Sequence, residues 1–231
     1  MKVQKEFWIL GISFFVLLVI TVVRQRDQLF LAALSKADPP VTIVIDAGHG
    51  GSDPGKIGIH GEEEKDINLN ISLLVEKLLK KQHINVVMTR NTDTDLSNAS
   101  DQNKKKSDLI RRRELFEQTD PALVVSIHQN SYPDPSIYGG QVFYYEGSEQ
   151  GKQLAECLQQ SISSLDPRNK RQIKANSSYY ILKSAISPVV ICECGFLSNE
   201  EECSNLNAPA YQEKLAKAIV TGILNYLYQS K

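Results

Sequence analysis

Short runs of β-branched residues alternate along the chain with longer stretches in which apolar residues recur every three or four positions. Val41, Ile43, Val44 and Ile45 predict a buried strand. A cluster of Gly48, Gly50, Gly51, Pro54 and Gly55 continues neither strand nor helix, so the chain turns sharply at the strand's carboxyl end. Ile67, Ile71, Leu74, Val75, Leu78 and Leu79 then recur at helical spacing and predict an amphipathic helix from about Glu64 to Lys81. Ile84 to Arg90 predicts the next strand. Residues 92–107 are polar and unpatterned, a surface loop long enough to line a groove, with Ser107 as N-cap of a helix over DLIRRRELFEQ.

Further on, ALVVSIHQN and GGQVFYYE read as strands, followed by a helix from about Ser148 to Leu165. The polar stretch DPRNKRQIKANSS leads to YYIL, read as a short strand, and SPVVICECGF is the last buried strand. Helices over Asn199 to Leu206 and Pro209 to Tyr228 close the chain, with Pro209 suited to a first helical position. This order predicts an α/β fold: a single domain over residues 41–231 with a mixed, mostly parallel central sheet and helices on both faces.

The N-terminus does not fit that pattern. Lys2 and Lys5 precede Phe7 to Val23, which carries no charge, and Arg24 and Arg26 follow at once. The run is long for a signal peptide and at the short edge of a membrane span. The nearest small-x-small triplets, at Ala33 and Ser35, lie well past it. A retained signal-anchor is the first expectation and a cleaved signal peptide the second. Residues 1–40 are set apart from the fold as anchor or signal plus a short linker. The rest of the chain is expected at the cell envelope, membrane-anchored through residues 7–23 or secreted. Positive charges on both sides leave the orientation open.

The 231 residues are 42% hydrophobic and 23% charged with a net charge of −1, ordinary globular material. No basic field calls for nucleic acid as a partner. Cys192 and Cys194 stand two apart in a strand and share a face, and their spacing with Cys157 and Cys203 matches no structural zinc signature. They read as small buried residues, a Cys194–Cys203 bridge being open.

Three polar groups stand where an apolar strand would not hold them without purpose: His49 in the glycine turn, His128 at a strand end, and Glu193 inside VVICECGF. A carboxylate there is costly unless paired, protonated or metal-bound. Alternation puts Glu193 on the face opposite Cys192 and Cys194. Two histidines and a carboxylate with an open fourth position form the ligand set of a catalytic zinc, and a spare carboxylate beside them would move protons. H-E-x-x-H is absent, so that zinc hydrolase pattern does not apply. Taken alone, His49 reads equally well as an exposed turn histidine, and Glu62, Glu63 and Glu64 as charges at a helix start.

The motifs IDAGHGGSDPGKIG, GEEEKDINLN, VSIHQN and CECGFLSN stand in the order found in zinc-dependent N-acetylmuramoyl-L-alanine amidases, which the chain resembles over nearly all of residues 41–228. MTRNTDTDL, the FYY strand and GFLSN resemble in particular the spore-cortex, germination-specific branch, the CwlD-type amidases. The resemblance implies that His49, Glu64 and His128 bind zinc, with Glu63 second to Glu64, and that Glu193 is the catalytic acid/base. Arg90 and Arg112 are implied to touch an anionic substrate group, with Asn130 of the SIHQN motif beside them. Arg111 and Arg113 read as salt-bridged surface residues, His60 as a turn residue and His83 as an exposed helix end. The implied reaction is hydrolysis, by zinc-activated water, of the amide joining N-acetylmuramic acid to the L-alanine of the stem peptide, in peptidoglycan of the spore cortex. Cysteines flank Glu193 and Glu117 replaces a common asparagine, both departures from the family pattern. Other readings are a catalytically silent peptidoglycan-binding protein and a zinc peptidase cutting within the stem peptide. Because the ligands come from separate loops, a protein partner that helps to hold the metal is a further expectation.

Overall fold

The apolar run after Pro40 forms β1 (Thr42–Ala47), second from one edge of a six-stranded sheet. The computed structural model describes residues 41–183 and 187–229, so the hydrophobic stretch at 7–23 lies outside the described residues. Among the described residues no helix is long and apolar enough to cross a membrane. The other strands are β2 (Asn85–Met88), β3 (Val124–Asn130), β4 (Gln141–Tyr145), β5 (Lys174–Asn176) and β6 (Val189–Phe196), in the order β2-β1-β3-β6-β4-β5. Strands β2, β1, β3 and β6 run parallel. β4 pairs antiparallel with β6, and β5 parallel with β4.

Alternation along these strands sorts the residues onto two faces. Ile43, Ile45, Val125, Ile127, Val190 and Cys192 enter the larger core beneath three helices: α1 (Glu64–Lys80), α3 (Glu149–Ser163) and α5 (Pro209–Gln229). Val44, Val124, Val189 and Ile191 point the other way, against Phe116 of α2 (Lys104–Thr119) and Ile181 and Leu182 of a single 3₁₀ turn. A short helix, α4 (Glu200–Asn207), caps the end of β6. The second face has a thin cover, and its row of inward positions continues from Val44, Val124 and Ile191 to Asp46, Ser126, His128 and Glu193. These are register partners on neighbouring strands, Asp46 with Ser126 and His128 with Glu193.

The structure corrects four local expectations. YYIL is a 3₁₀ turn, Tyr180–Leu182, and the edge position beside β4 belongs instead to β5, drawn from the polar stretch before it. An edge strand needs no apolar alternation, so KAN carried no strand signal. The helix after the polar loop begins at Lys104, because the Asn103 side chain accepts from the Lys106 amide at 3.0 Å and caps it a turn ahead of Ser107. All four thiols are free, which closes the Cys194–Cys203 alternative.

Helix α5 packs so closely on α3 that a methyl group at Gly222 would lie 2.8 Å from Leu158 Cα. Alanine at that position gains about 1 kcal/mol of helix propensity. Forcing two backbones apart costs about 1–3 kcal/mol. Gly222→Ala is therefore expected to lower the melting temperature by a few degrees, and a rise on thermal unfolding would contradict this packing.

Candidate metal centre

The turn that follows β1 is held open by its backbone. His49 has φ 61°, a left-handed conformation that a non-glycine residue adopts only under constraint. Much of that constraint comes from Arg112 of α2. Its guanidinium donates to Asp46 Oδ1 at 2.6 Å, to the Ala47 carbonyl at 2.7 Å, to the His49 carbonyl at 2.6 Å and to Asp108 Oδ2 at 2.8 Å. Asp46 also accepts from Thr89 Oγ1 and Ser126 Oγ, and although burial raises its pKa, Arg112 and these hydroxyls hold it lowered. Arg90 closes the turn from the other side, donating to the carbonyls of Ala47, Gly48, Lys65 and Thr92.

This turn presents the His49 ring edge-on to His128, with centroids 4.9 Å apart. His49 Nδ1 pairs with Asp53 Oδ2 at 2.8 Å, which leaves Nε2 facing Glu64 Oε2 at 3.2 Å. His128 Nδ1 lies 3.0 Å from Glu64 Oε1. One donor atom from each of His49, Glu64 and His128 falls within 4.8 Å of the others. Ligands about 2.0–2.1 Å from a tetrahedral ion stand about 3.3 Å apart, so the set fits a small divalent cation.

Glu64 is the first residue of α1 and only 2% exposed. Its carboxylate accepts from the backbone amides of Lys56 at 2.8 Å and Gln129 at 3.0 Å, and from Asn68 Nδ2 at 3.2 Å. Burial works to raise its pKa, but hydrogen bonds from His128 and His49 outweigh it and keep the group ionised. Glu62 accepts from the His60 amide and the Cys203 thiol, and Glu63 pairs with Lys65, so neither reaches the cluster. Two glycines make room for the ligands. A Cβ on Gly48 would fall inside the His128 ring, and one on Gly55 would strike Glu64 and His49.

Glu193 stands beside His128 on the next strand, half-buried. Its Oε2 is buried without a hydrogen-bond partner among the described residues. Burial pushes its carboxyl up to about 7 against the pull of the two histidines, with the Glu64 charge adding to the rise. Arg90 and Arg112 are respectively 4% and 2% exposed, and each commits its donors to the turn. Both make four hydrogen bonds and shape the turn, and Arg112 also lines the cavity beside His49 and His128. Asn130 ends β3 and turns its carbonyl to the Leu197 amide and its side chain to the Ser131 amide. Arg111 and Arg113 pair with Asp101 and Glu117 at the surface, as expected. His60 and His83 stand apart from the cluster: His60 pairs with the exposed Glu200, and His83 follows the end of α1.

Sequence reasoning passed over Asp46, Asp53, Asn68 and Gln129. Asp46 carried the signal that exposed Glu193, a carboxylate in an apolar strand. Asp53 lies four residues after His49 in a turn, a spacing without a distinctive pattern.

The family model described as N-acetylmuramoyl-L-alanine amidase matches residues 43–225. The chain belongs to that family. It is an N-acetylmuramoyl-L-alanine amidase. It is 35% identical over 188 residues to the germination-specific N-acetylmuramoyl-L-alanine amidase of Bacillus subtilis (strain 168), covering 80% of this chain and 78% of that protein. The structure of the CwlD amidase from Clostridioides difficile in complex with the GerS lipoprotein superposes with TM-score 0.80 at 38% identity, covering 82% of this chain and 99% of that one. The catalytic domain of CwlV from Bacillus (Paenibacillus) polymyxa var. colistinus gives TM-score 0.72 at 30% identity, covering 81% and 98%.

Two outcomes follow for this amidase. Arg112→Met leaves Asp46 and Asp108 buried without their cation, a loss of about 3–5 kcal/mol in chemical denaturation. An unchanged midpoint with only a raised KM would instead return Arg112 to the substrate. For Glu193 the folded pKa of about 7 lies above the ordinary 4.5. Its contribution is therefore fully present below about 4.5 and lost as pH rises through about 7. In the metal-free protein, Glu193→Gln should match wild type near pH 4.5 and be more stable, by up to about 3 kcal/mol, above pH 7. Equal stabilities at pH 8 would contradict a strained carboxylate.

Proposed function

We propose that this amidase is a zinc enzyme in which His49, Glu64 and His128 hold the ion and Glu193 is the acid/base. The observation that carries the reading is the convergence of three donors from three separate segments beside the unpartnered Oε2 of Glu193. Two imidazoles and one carboxylate leave a fourth position open, the pattern of a catalytic rather than a structural zinc. When bound, zinc supplies Lewis acidity toward a water and a carbonyl oxygen.

The residues of the chain do the rest. Asp53 fixes the His49 tautomer, so that Nε2 is the nitrogen offered. The amides of Lys56 and Gln129 with Asn68 hold the Glu64 carboxylate in one rotamer. Glu193 takes a proton from the attacking water at Oε2 and returns it to the departing amine of L-alanine. The amide C–N bond breaks, the lactyl carbon keeps the water oxygen as a carboxylate, and the peptide leaves with a free amino terminus. Burial raises the pKa of this carboxyl, which favours giving the proton, and a bound cation would oppose that rise, which favours taking it.

The substrate of this reading is peptidoglycan on the outer side of the membrane, with residues 7–23 holding the catalytic part, residues 41–231, near the wall. A role in the spore cortex is supported by the likeness to the germination-specific relative. The CwlD structure contains a lipoprotein, which supports a protein partner for this chain as well.

Zinc content and product analysis test the reading together. Purified protein should carry about one zinc per chain and release peptides with N-terminal L-alanine from peptidoglycan. Glu193→Gln should keep the zinc and lose at least about 10²–10⁴-fold in turnover. His49→Ala or His128→Ala should lose both. Cuts elsewhere in the stem peptide would favour a zinc peptidase, and zinc without any release a silent binding protein.

A further inference from the structure

The cavity beside His49 and His128 holds about 50 Å³ and is walled on its outer side by Asp53, Lys105, Leu109 and Ile181. That volume is too small for an amino-acid residue of a substrate. The cavity shares Lys105 and Leu109 with a second groove of about 540 Å³, walled also by Asn103, Lys106, Ile110 and Tyr180. The two form one trough that leaves the metal centre along the first turns of α2. Its lining is mostly apolar, and its rim carries ammonium groups.

The charge on that rim opposes local helix physics. Helices α1, α3 and α4 place Glu64 and Asp66, Glu149, and Glu200 to Glu202 in their first turns, where acids suit the helix dipole. α2 has no acid in its first turn and begins Lys104-Lys105-Lys106. Three lysines at a helix start gain nothing from its dipole, so whatever favours them there lies outside the helix. Lys105 reaches back to Asp53 Oδ2 at 3.1 Å, and Asp53 is the partner of His49, so this ammonium stands one carboxylate away from the metal centre. The Lys105 side chain is 63% exposed and able to exchange that partner for an incoming anion.

Resting on the amidase reading above, we propose that this trough is the stem-peptide subsite. It would seat the aliphatic parts of the peptide on Leu109, Ile110 and Tyr180, and take the carboxylates of the residues that follow L-alanine on Lys105 and Lys106. An extended peptide advances about 3.3–3.6 Å per residue, so its first residues beyond the scissile amide come within reach of Lys105. Lysine is a flexible point charge and accepts carboxylates at more than one position. The glycan offers hydroxyl and acetamido groups, which an ammonium rim over an apolar floor does not select.

The test uses full-length, zinc-loaded protein with Glu193→Gln, so that ligand binds without being cut. The ligands are a muramoyl peptide with free stem carboxylates and the same compound with those carboxylates amidated, titrated calorimetrically at about 50 mM salt. Adding Lys105→Ala and Lys106→Ala should weaken the free acid about tenfold and the amidated form less than about twofold, with zinc content unchanged. Arginine at both positions should restore the preference. Unaltered binding, equal weakening of both ligands or a fall in zinc content would each overturn the proposal. So would absence of binding by the protein that keeps both lysines. Release of N-terminal L-alanine by the wild-type enzyme, measured separately, decides whether the amidase reading survives that result.

Discussion

The Arg112 guanidinium, driven from α2 under the end of β1, is the contact on which the rest of the site depends. It ties the Asp46 side chain, two carbonyls of the glycine turn and Asp108 of its own helix to one buried cation. The turn would otherwise be a poor platform. A histidine at φ 61° is disfavoured on its own, and glycine on both sides gives it no side-chain support. Fixing the carbonyls on either side of the turn fixes the peptide planes, and with them the direction of the His49 ring. A buried ion pair of this kind gives little net stability, since its desolvation nearly cancels its attraction. Its value here is geometric.

The sheet decides where that geometry can be used. Side chains alternate between a face under three helices and a face with one helix and a 3₁₀ turn. On the thick side the inward positions are apolar except Gln129, which bonds Asn68 of α1. On the thin side the inward row toward the carboxyl ends of β1, β3 and β6 turns polar at Asp46, His128 and Glu193, where an open α/β sheet leaves room for ligands. Glu64 comes from the thick side: it opens α1, and its carboxylate passes over the end of β3 to meet the histidines. The cluster therefore draws on both layers, and the small residues Gly48 and Gly55 are what let the backbone lie this close.

How much of this the sequence disclosed follows from the same physics. Polar groups inside apolar strands are expensive, so His128 and Glu193 were conspicuous, and the parallel strands themselves were plain because their apolar runs are continuous. The choice of Glu64 among three adjacent glutamates came from family resemblance, because three carboxylates at a helix start are equivalent until tertiary contacts separate them. Arg112 drew notice through the resemblance, but its place under the turn was not legible. One of three adjacent arginines on a strongly charged helix carries no mark of burial, and its partners in the turn lie more than sixty residues away. The strand β5 and the 3₁₀ turn at Tyr180 were missed because neither is set by its own side-chain pattern. One is an edge strand, and the other a turn between an edge and a core strand.

Charge balance explains why Glu64 and Glu193, two buried carboxyl groups beside the histidines, behave so differently. Glu64 has its oxygens occupied by two backbone amides, one side-chain amide and two rings, and it stays ionised although almost fully enclosed. Glu193 faces the same rings from the neighbouring strand but leaves one oxygen unpartnered among the described residues, and burial dominates its titration. A bound divalent cation would favour the ionised form of Glu193 as well, so under the proposed reading this carboxylate would be competent as a base when the metal is present. One carboxylate is saturated with hydrogen bonds and held in place, and the other is left unsaturated and able to change its proton. The separation of those tasks is set by hydrogen-bond supply, not by distance from the ligands.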